Sequence, residues 1–383
     1  MAAKRSIFEE VGTGSRPQAA ATGGIARAHR GARGAIRVWL MILFVLVVVM
    51  IAVGGLTRLT DSGLSITEWK PVTGALPPLS AADWQAEFDR YRAIPEYQLQ
   101  NRGMTLEAFK TIYWWEWGHR QLGRVIGLVW FLGFLGFLIA RRIPVGWTGR
   151  LLLPGVLGGL QGAIGWWMVS SGLTGTALDV ASYRLALHLG LAFVILGLLA
   201  WYIFLLGRSE ADLLQARRIR EGRLFGLSTG LMHFAFLQIL LGALVAGIDA
   251  GRAFPTWPDM NGQFFPADAF YVPGRPVWAA FFENAGLVQF IHRMTGYLLL
   301  AFGLFVWWRG RASAHLAARR AFDMLGAMLV VQMAIGIATV LTAASPHVAI
   351  THQFGAVVLW VLILRARYLS QYPLAGSIRK GTA

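Results

Sequence analysis

The chain has 383 residues, 56% of them hydrophobic and only 14% charged, with a formal net charge of +16. This is too apolar for a soluble domain and fits a protein that crosses a membrane several times. The absence of cysteine excludes disulfides, thiolate metal ligands and thiol redox chemistry, and no nucleic-acid partner is expected, because the arginines gather in short connections between apolar runs.

In chain order, residues 1–35 are rich in Ala, Gly and Arg without an apolar period and read as a disordered cytoplasmic tail. A cleaved signal is not expected, since the first apolar run is long and no small-residue cleavage site follows it. Eight runs of about 20 apolar residues fall at 36–57, 117–140, 151–171, 185–206, 227–248, 287–308, 322–343 and 348–367. They predict an all-α integral membrane protein with eight transmembrane helices. The tail carries Arg27, Arg30, Arg33 and Arg37, and the second, fourth and sixth connections carry clusters around Arg141, Arg217 and Arg319. Basic clusters mark cytoplasmic loops, so both termini are expected in the cytoplasm. The connections 58–116 and 249–286 are long, hold Pro, Trp and mixed charges, and are expected to be folded and outside.

The two halves repeat. Gly54-Gly55-Leu56 followed by Asp61-Ser62-Gly63 matches Gly242-Ala243-Leu244 followed by Asp249-Ala250-Gly251, in the same spacing. Gln161-Gly162-Ala163-Ile164-Gly165 matches Gln332-Met333-Ala334-Ile335-Gly336, and His119-Arg120 matches His292-Arg293, each with a glycine (Gly123, Gly296) four residues after the histidine. Four helices is an even number, so the second copy keeps the orientation of the first. The expected architecture is two tandem, parallel-duplicated four-helix bundles, residues 36–206 and 227–367, joined by a cytoplasmic linker at 207–226 and followed by a cytoplasmic tail at 368–383.

His119, His188, His292 and His352 fall near the outer starts of the second, fourth, sixth and eighth helices. Two imidazoles across a four-helix bundle suit the iron of a planar porphyrin, a usual cargo of such bundles. Zinc fits less well: Glu116 would be a third ligand on one side, and the second half would be short of one. His347 lies off the face of His352, His233 has no repeat partner and reads as a helix-contact residue, and His29 and His315 lie in basic stretches and are expected to be solvated. Glu116 stands one turn before His119, where the second half has Gln289. One site therefore has an acid/base group and the other does not, unless Glu116 only caps its helix. Arg58, Arg120, Arg124 and Arg293 lie near outer ends and call for anions, either porphyrin propionates or lipid phosphate or a loop carboxylate such as Asp61.

At these residues the chain resembles the haem A synthase family over about 36–367. The specific parts are residues 54–65 (Gly54-Gly55-Leu56-Thr57-Arg58 through Ser65), the stretch Glu68-Trp69-Lys70-Pro71-Val72-Thr73-Gly74, and Glu116 with His119-Arg120. The resemblance implies an oxidoreductase of the bacterial inner membrane that oxidises a methyl group of haem O to the formyl group of haem A for cytochrome oxidase. It implies that His119 and His188 hold the substrate haem and that His292 and His352 hold a haem b cofactor. Glu116 would be the catalytic carboxylate, and the sites would face the periplasm. It also implies haem O synthase as substrate donor and contact with oxidase assembly factors and lipid. Small residues on several helices are compatible with a homo-oligomer. Some relatives carry a cysteine pair in the first outer loop; this chain has none and is similar to the cysteine-free proteobacterial and mitochondrial group. A di-haem electron-transfer cytochrome explains the histidines but not the Glu116/Gln289 difference, and the parallel repeat argues against a transporter.

Overall fold

A computed structural model describes residues 24–175 and 178–374, with side chains from residue 32 onward. The expected disordered tail lies outside the described residues over 1–23. Its remainder is helical, because the first helix already starts at Gly24. The structure is all-helical, and among the described residues eight helices are long and apolar enough to cross a membrane. We label them α1 (Gly24–Leu59), α2 (Leu106–Ile139), α3 (Thr148–Val169), α4 (Ser182–Leu206), α5 (Gly222–Gly247), α6 (Ala285–Gly310), α7 (Leu316–Leu341) and α8 (Pro346–Gln371). The linker holds a short helix, Glu210–Arg218, whose Ser209 and Asp212 form a reciprocal cap.

Seven of these helices lie within a few residues of the expected runs at their outer ends. α2 does not. It begins after Thr105, whose hydroxyl accepts from the Ala108 N–H, and so extends eleven residues beyond the expected start at 117. That extension is amphipathic rather than uniformly apolar. Phe109, Tyr113 and Glu116 are buried while Trp114 and Trp115 face outward, so a search for apolar runs cannot register it.

The buried face of the extension packs on the first long connection, which is folded as expected. Leu64, Ile66, Phe88, Tyr91, Ile94, Tyr97, Phe109, Tyr113 and Val169 form one apolar cluster. The loop helix Ala81–Arg92 starts with a complete Ser80/Asp83 capping box. Its Phe88 ring meets Phe109 at 5.1 Å and Tyr97 at 5.9 Å between centroids, the spacing at which aromatic pairs attract.

Helix neighbours are simple to state. α1 touches α2 and α4, and α3 touches α2 and α4; α5 touches α6 and α8, and α7 touches α6 and α8. α2 and α4 are thus diagonal partners in the first group, as α6 and α8 are in the second. The groups meet through α1 and α4 on one side and α5 and α8 on the other. A continuous core runs through both, including Leu40, Leu196, Leu231, Phe322 and Ile363, each fully buried. Indole N–H groups tie helices together: Trp39 donates to the Val129 carbonyl at 3.0 Å, Trp130 to Leu151 at 3.1 Å, and Trp360 of α8 to Phe193 of α4 at 3.1 Å. In an apolar setting such interhelical bonds replace the missing hydrophobic drive between helices.

Candidate functional site

Each of the four histidines is half-buried and each lies against a glycine of a neighbouring helix. A Cβ placed on Gly54 of α1 would stand 3.0 Å from Nε2 of His119 on α2; one on Gly165 of α3 would stand 2.9 Å from Cε1 of His188 on α4. In the second group the pairs are Gly242 of α5 with His292 of α6 and Gly336 of α7 with His352 of α8, each at 3.0 Å from Cε1. An added side chain would press on the ring, which would have to give way by a few tenths of an ångström. Four residues past His119 and His292, a Cβ added to Gly123 or Gly296 would meet Met50 and Gln238, at 3.5 and 3.2 Å. Gly54 and Gly242 were visible in the repeat, but nothing in the sequence says which histidine they touch.

The histidines lie deeper in their helices than expected. His188, His292 and His352 are about two turns in, and His119 is thirteen residues past the start of α2. Because α2 and α4 are diagonal, as are α6 and α8, each group contributes its two imidazoles from opposite corners. His188 Nδ1 is buried without a partner.

Glu116 does not cap α2, because the cap is Thr105, eleven residues before it. It is 2% exposed and both oxygens are occupied. Oε2 accepts from the Ser65 hydroxyl at 2.7 Å and the Ile66 N–H at 2.8 Å. Oε1 accepts from Arg120 Nε at 3.1 Å and Nη2 at 2.5 Å. The second group repeats this pairing with the charge removed: Gln289 Oε1 accepts from Arg293 Nη2 at 3.3 Å, and Gln289 Nε2 donates to the Phe254 carbonyl at 3.4 Å.

The arginines clamp the two long connections. Arg120 donates to the carbonyls of Ile66 (2.8 Å) and Glu68 (3.2 Å), and Arg124 to those of Lys70 and Pro71, both at 2.9 Å. The Glu68–Gly74 stretch is therefore held to α2 by its backbone, and a Cβ on Gly74 would stand 3.0 Å from Arg124 Nη2. Arg293 donates to the Phe254 and Asp259 carbonyls at 2.7 and 2.9 Å. Arg58 meets Asp61 at 2.9 Å, Asp249 at 2.8 Å and Asp179 at 3.5 Å. The Nε atoms of Arg58 and Arg293 are buried without partners.

The remaining histidines divide. His233 bonds through Nδ1 to the Thr229 carbonyl of its own helix at 2.9 Å. His315 is not solvated as expected. It is 6% exposed at the start of α7, where a turn tied by Ser313 and Glu221 covers it. His347 lies in the first turn of α8, and the side chain of His29 falls outside the described side chains. Among the described residues no group of three or more His, Asp or Glu converges.

Eight apolar spans in two adjoining groups, with four histidines packed against glycines of neighbouring helices and a buried carboxylate one turn before His119, define a polytopic helical membrane protein. The family model described as cytochrome oxidase assembly protein, COX15-CtaA, matches residues 37–364, and the chain belongs to that family. It is 68% identical to a haem A synthase of Ruegeria sp. (strain TM1040) over 378 residues, 98% of this chain and 99% of the relative. It is 67% identical to one from Dinoroseobacter shibae over the full length of both, and 66% identical to one from Cereibacter sphaeroides (strain ATCC 17029 / ATH 2.4.9) over 99% of each.

Proposed function

We propose that this protein is a haem A synthase of the bacterial inner membrane, which oxidises a methyl group on the porphyrin of haem O to the formyl group of haem A. In this reading the halves are tandem parallel copies with cytoplasmic termini and periplasm-facing sites. His119 and His188 hold the substrate haem, and His292 and His352 hold a resident haem b. The donor set suits such groups: each half offers two imidazoles from diagonal helices, each ring lies against a glycine, and His188 Nδ1 has no protein partner. When bound, haem b supplies one-electron redox chemistry. Arg58 and Arg293 each keep a buried, unpartnered Nε–H, and with Arg120 and Arg124 they are proposed as propionate partners that add to their loop contacts. A haem O synthase is the proposed donor of substrate.

The observation that carries the reading is Glu116: a buried carboxylate one turn from His119, where the second half has an amide. Each oxidation at the substrate carbon removes two electrons and two protons as one water oxygen is added. The second round leaves a hydrate that loses water to the aldehyde. In this reading Glu116 stabilises positive charge at that carbon and receives a proton from the attacking water. Ser65, Ile66 and Arg120 hold it in position.

Co-expression with a haem O synthase, followed by mass spectrometry of the extracted haems, tests this. The native chain should yield haem A, and Glu116→Gln should lower that yield about 100-fold, the lower range for loss of an acid/base group. Unchanged haem A from the variant would remove the catalytic role. Bound haem without any formyl product from the native chain would favour the electron-transfer cytochrome.

A further inference from the structure

Part of the first long connection lies at the level where α2 and α3 leave the apolar layer. Arg120 stands nineteen residues before the end of α2, and Trp166 eighteen residues after the start of α3. At 1.5 Å per residue these are heights of about 28 and 27 Å above the short turn that joins the two helices. A hydrocarbon layer is about 30 Å thick, so both residues mark its far boundary, and any tilt of the helices sets them deeper. Trp69 of the connection meets the Trp166 ring at 5.3 Å. Arg120 donates to the Glu68 carbonyl, and Arg124, one turn deeper, to those of Lys70 and Pro71. Side chains on a helix lean toward its N-terminus, so Arg124 reaches back to the same boundary. Residues 68–71 are thereby held at the edge of the hydrocarbon.

The residues that follow suit that place. Residues 71–82 carry no charge. Val72, Leu76 and Leu79 are 80%, 70% and 78% exposed, and the turn Thr73–Ala75 between them buries no residue. A run of exposed apolar side chains marks a contact surface. Backbone that enters lipid must satisfy its polar groups from within, and here most N–H groups are accounted for. Pro71, Pro77 and Pro78 have none, and those of Gly74, Ala75 and Leu76 donate to the carbonyls of Lys70, Val72 and Thr73. The charges before the segment pair with the loop helix Ala81–Arg92: Lys70 with Glu87 at 3.7 Å and Glu68 with Arg90 at 3.4 Å.

We propose that residues 71–79 form a membrane-interface segment whose Val72, Leu76 and Leu79 insert among the lipid acyl chains at this end of α2. Lipid is the occupant because the segment is tied to a spanning helix at the hydrocarbon boundary, continuous with exposed apolar side chains of that helix such as Leu128 and Phe131. The guanidinium of Arg120 joins this contact to the buried carboxylate, since it donates both to the Glu68 carbonyl and to Glu116. Lipid that holds the segment therefore also steadies the side chain that positions Glu116.

The chain has no cysteine, so single cysteines can be placed in the full-length protein without a background. Val72→Cys, Leu76→Cys and Leu79→Cys, each carrying a nitroxide, are read in phosphatidylcholine vesicles by collision with oxygen, which concentrates in lipid, and with a water-soluble nickel chelate. Leu128→Cys on α2 is the lipid reference, and Asp89→Cys on the exposed side of the loop helix is the water reference. The oxygen-to-nickel ratio at the three positions should be several-fold above that at Asp89, as for side chains roughly 5–10 Å into the interface. Ratios equal to that at Asp89 would overturn the proposal and leave water or a protein partner as the cover of the segment. Bimane on the same three cysteines should be quenched by phosphatidylcholine brominated on its acyl chains; fluorescence that brominated lipid leaves unchanged would overturn it equally. Thermal unfolding establishes that each labelled protein is native before it is read. Neither outcome alters the synthase reading, which is tested by its own haem product.

Discussion

At the scale of single residues, the chain places two buried carboxylates in very different settings. Glu116 receives four donors, two on each oxygen. Glu96, in the outer-loop helix Pro95–Leu99, is 3% exposed and has one oxygen without a partner. Burial pushes its pKa up to about 8, with repulsion from Glu116, Asp179 and Asp61 adding to this and the Tyr91 hydroxyl opposing it. A carboxyl whose pKa is raised on folding binds more protons in the native state than in the unfolded one. Its contribution therefore falls as pH rises from the ordinary carboxylate range, about 4.5, to about 8, by at most about 1.4 kcal/mol per pH unit, and then levels off. Thermal unfolding from pH 5 to pH 8.5 should show the native protein losing stability, and Glu96→Gln should flatten that dependence. An unaltered slope in the variant would assign the effect elsewhere.

At the scale of elements, the recurring unit is a helix pair in which a glycine receives an imidazole. Gly336 and His352 show its tolerance: an added Cβ would lie 3.0 Å from the ring, tighter than ordinary packing allows. Gly336→Val should push the ring aside, cost about 1–3 kcal/mol through overpacking, and lower the haem bound per chain by about half; full haem content with native spectra would show that the ring does not need its glycine. α2 shows how an element can exceed what hydropathy registers. Its apolar part was legible as a run, but its first eleven residues are helical because Thr105 caps them and because Phe109 and Tyr113 bury against a loop core assembled from residues 64–97. Those contacts are not visible in a local window.

At the scale of the whole molecule, the two groups are joined by polar contacts as well as by the shared core. Arg58 at the end of α1 bridges Asp61 and Asp179 of the first half to Asp249 at the end of α5. Asp61 and Asp249 both have left-handed backbone, φ 48° and 51°, at equivalent helix ends. Gln353, next to His352, donates to the Ile51 carbonyl of α1 at 2.6 Å. Arg58→Met should leave three carboxylates facing one another and lower stability by about 1–2 kcal/mol, the range between exposed and buried pairs. The deficit should shrink at high salt, where their repulsion is screened. A melting temperature equal to that of the native protein at low salt would show that this cluster does not hold the halves together.

Read from one end to the other, the chain by itself determined the membrane class, the number of spans, the four repeated histidines and the Glu116/Gln289 contrast. Apolar length and the spacing of a repeated motif are linear properties, and they survive without knowledge of any contact. Only the tertiary structure decided which glycine lies against which ring, and that Arg58, Arg120, Arg124 and Arg293 donate to loop carbonyls and aspartates. Those facts depend on which faces of helices far apart in sequence are pressed together. A bundle settles that by the joint packing of all its members, and no single segment carries the information.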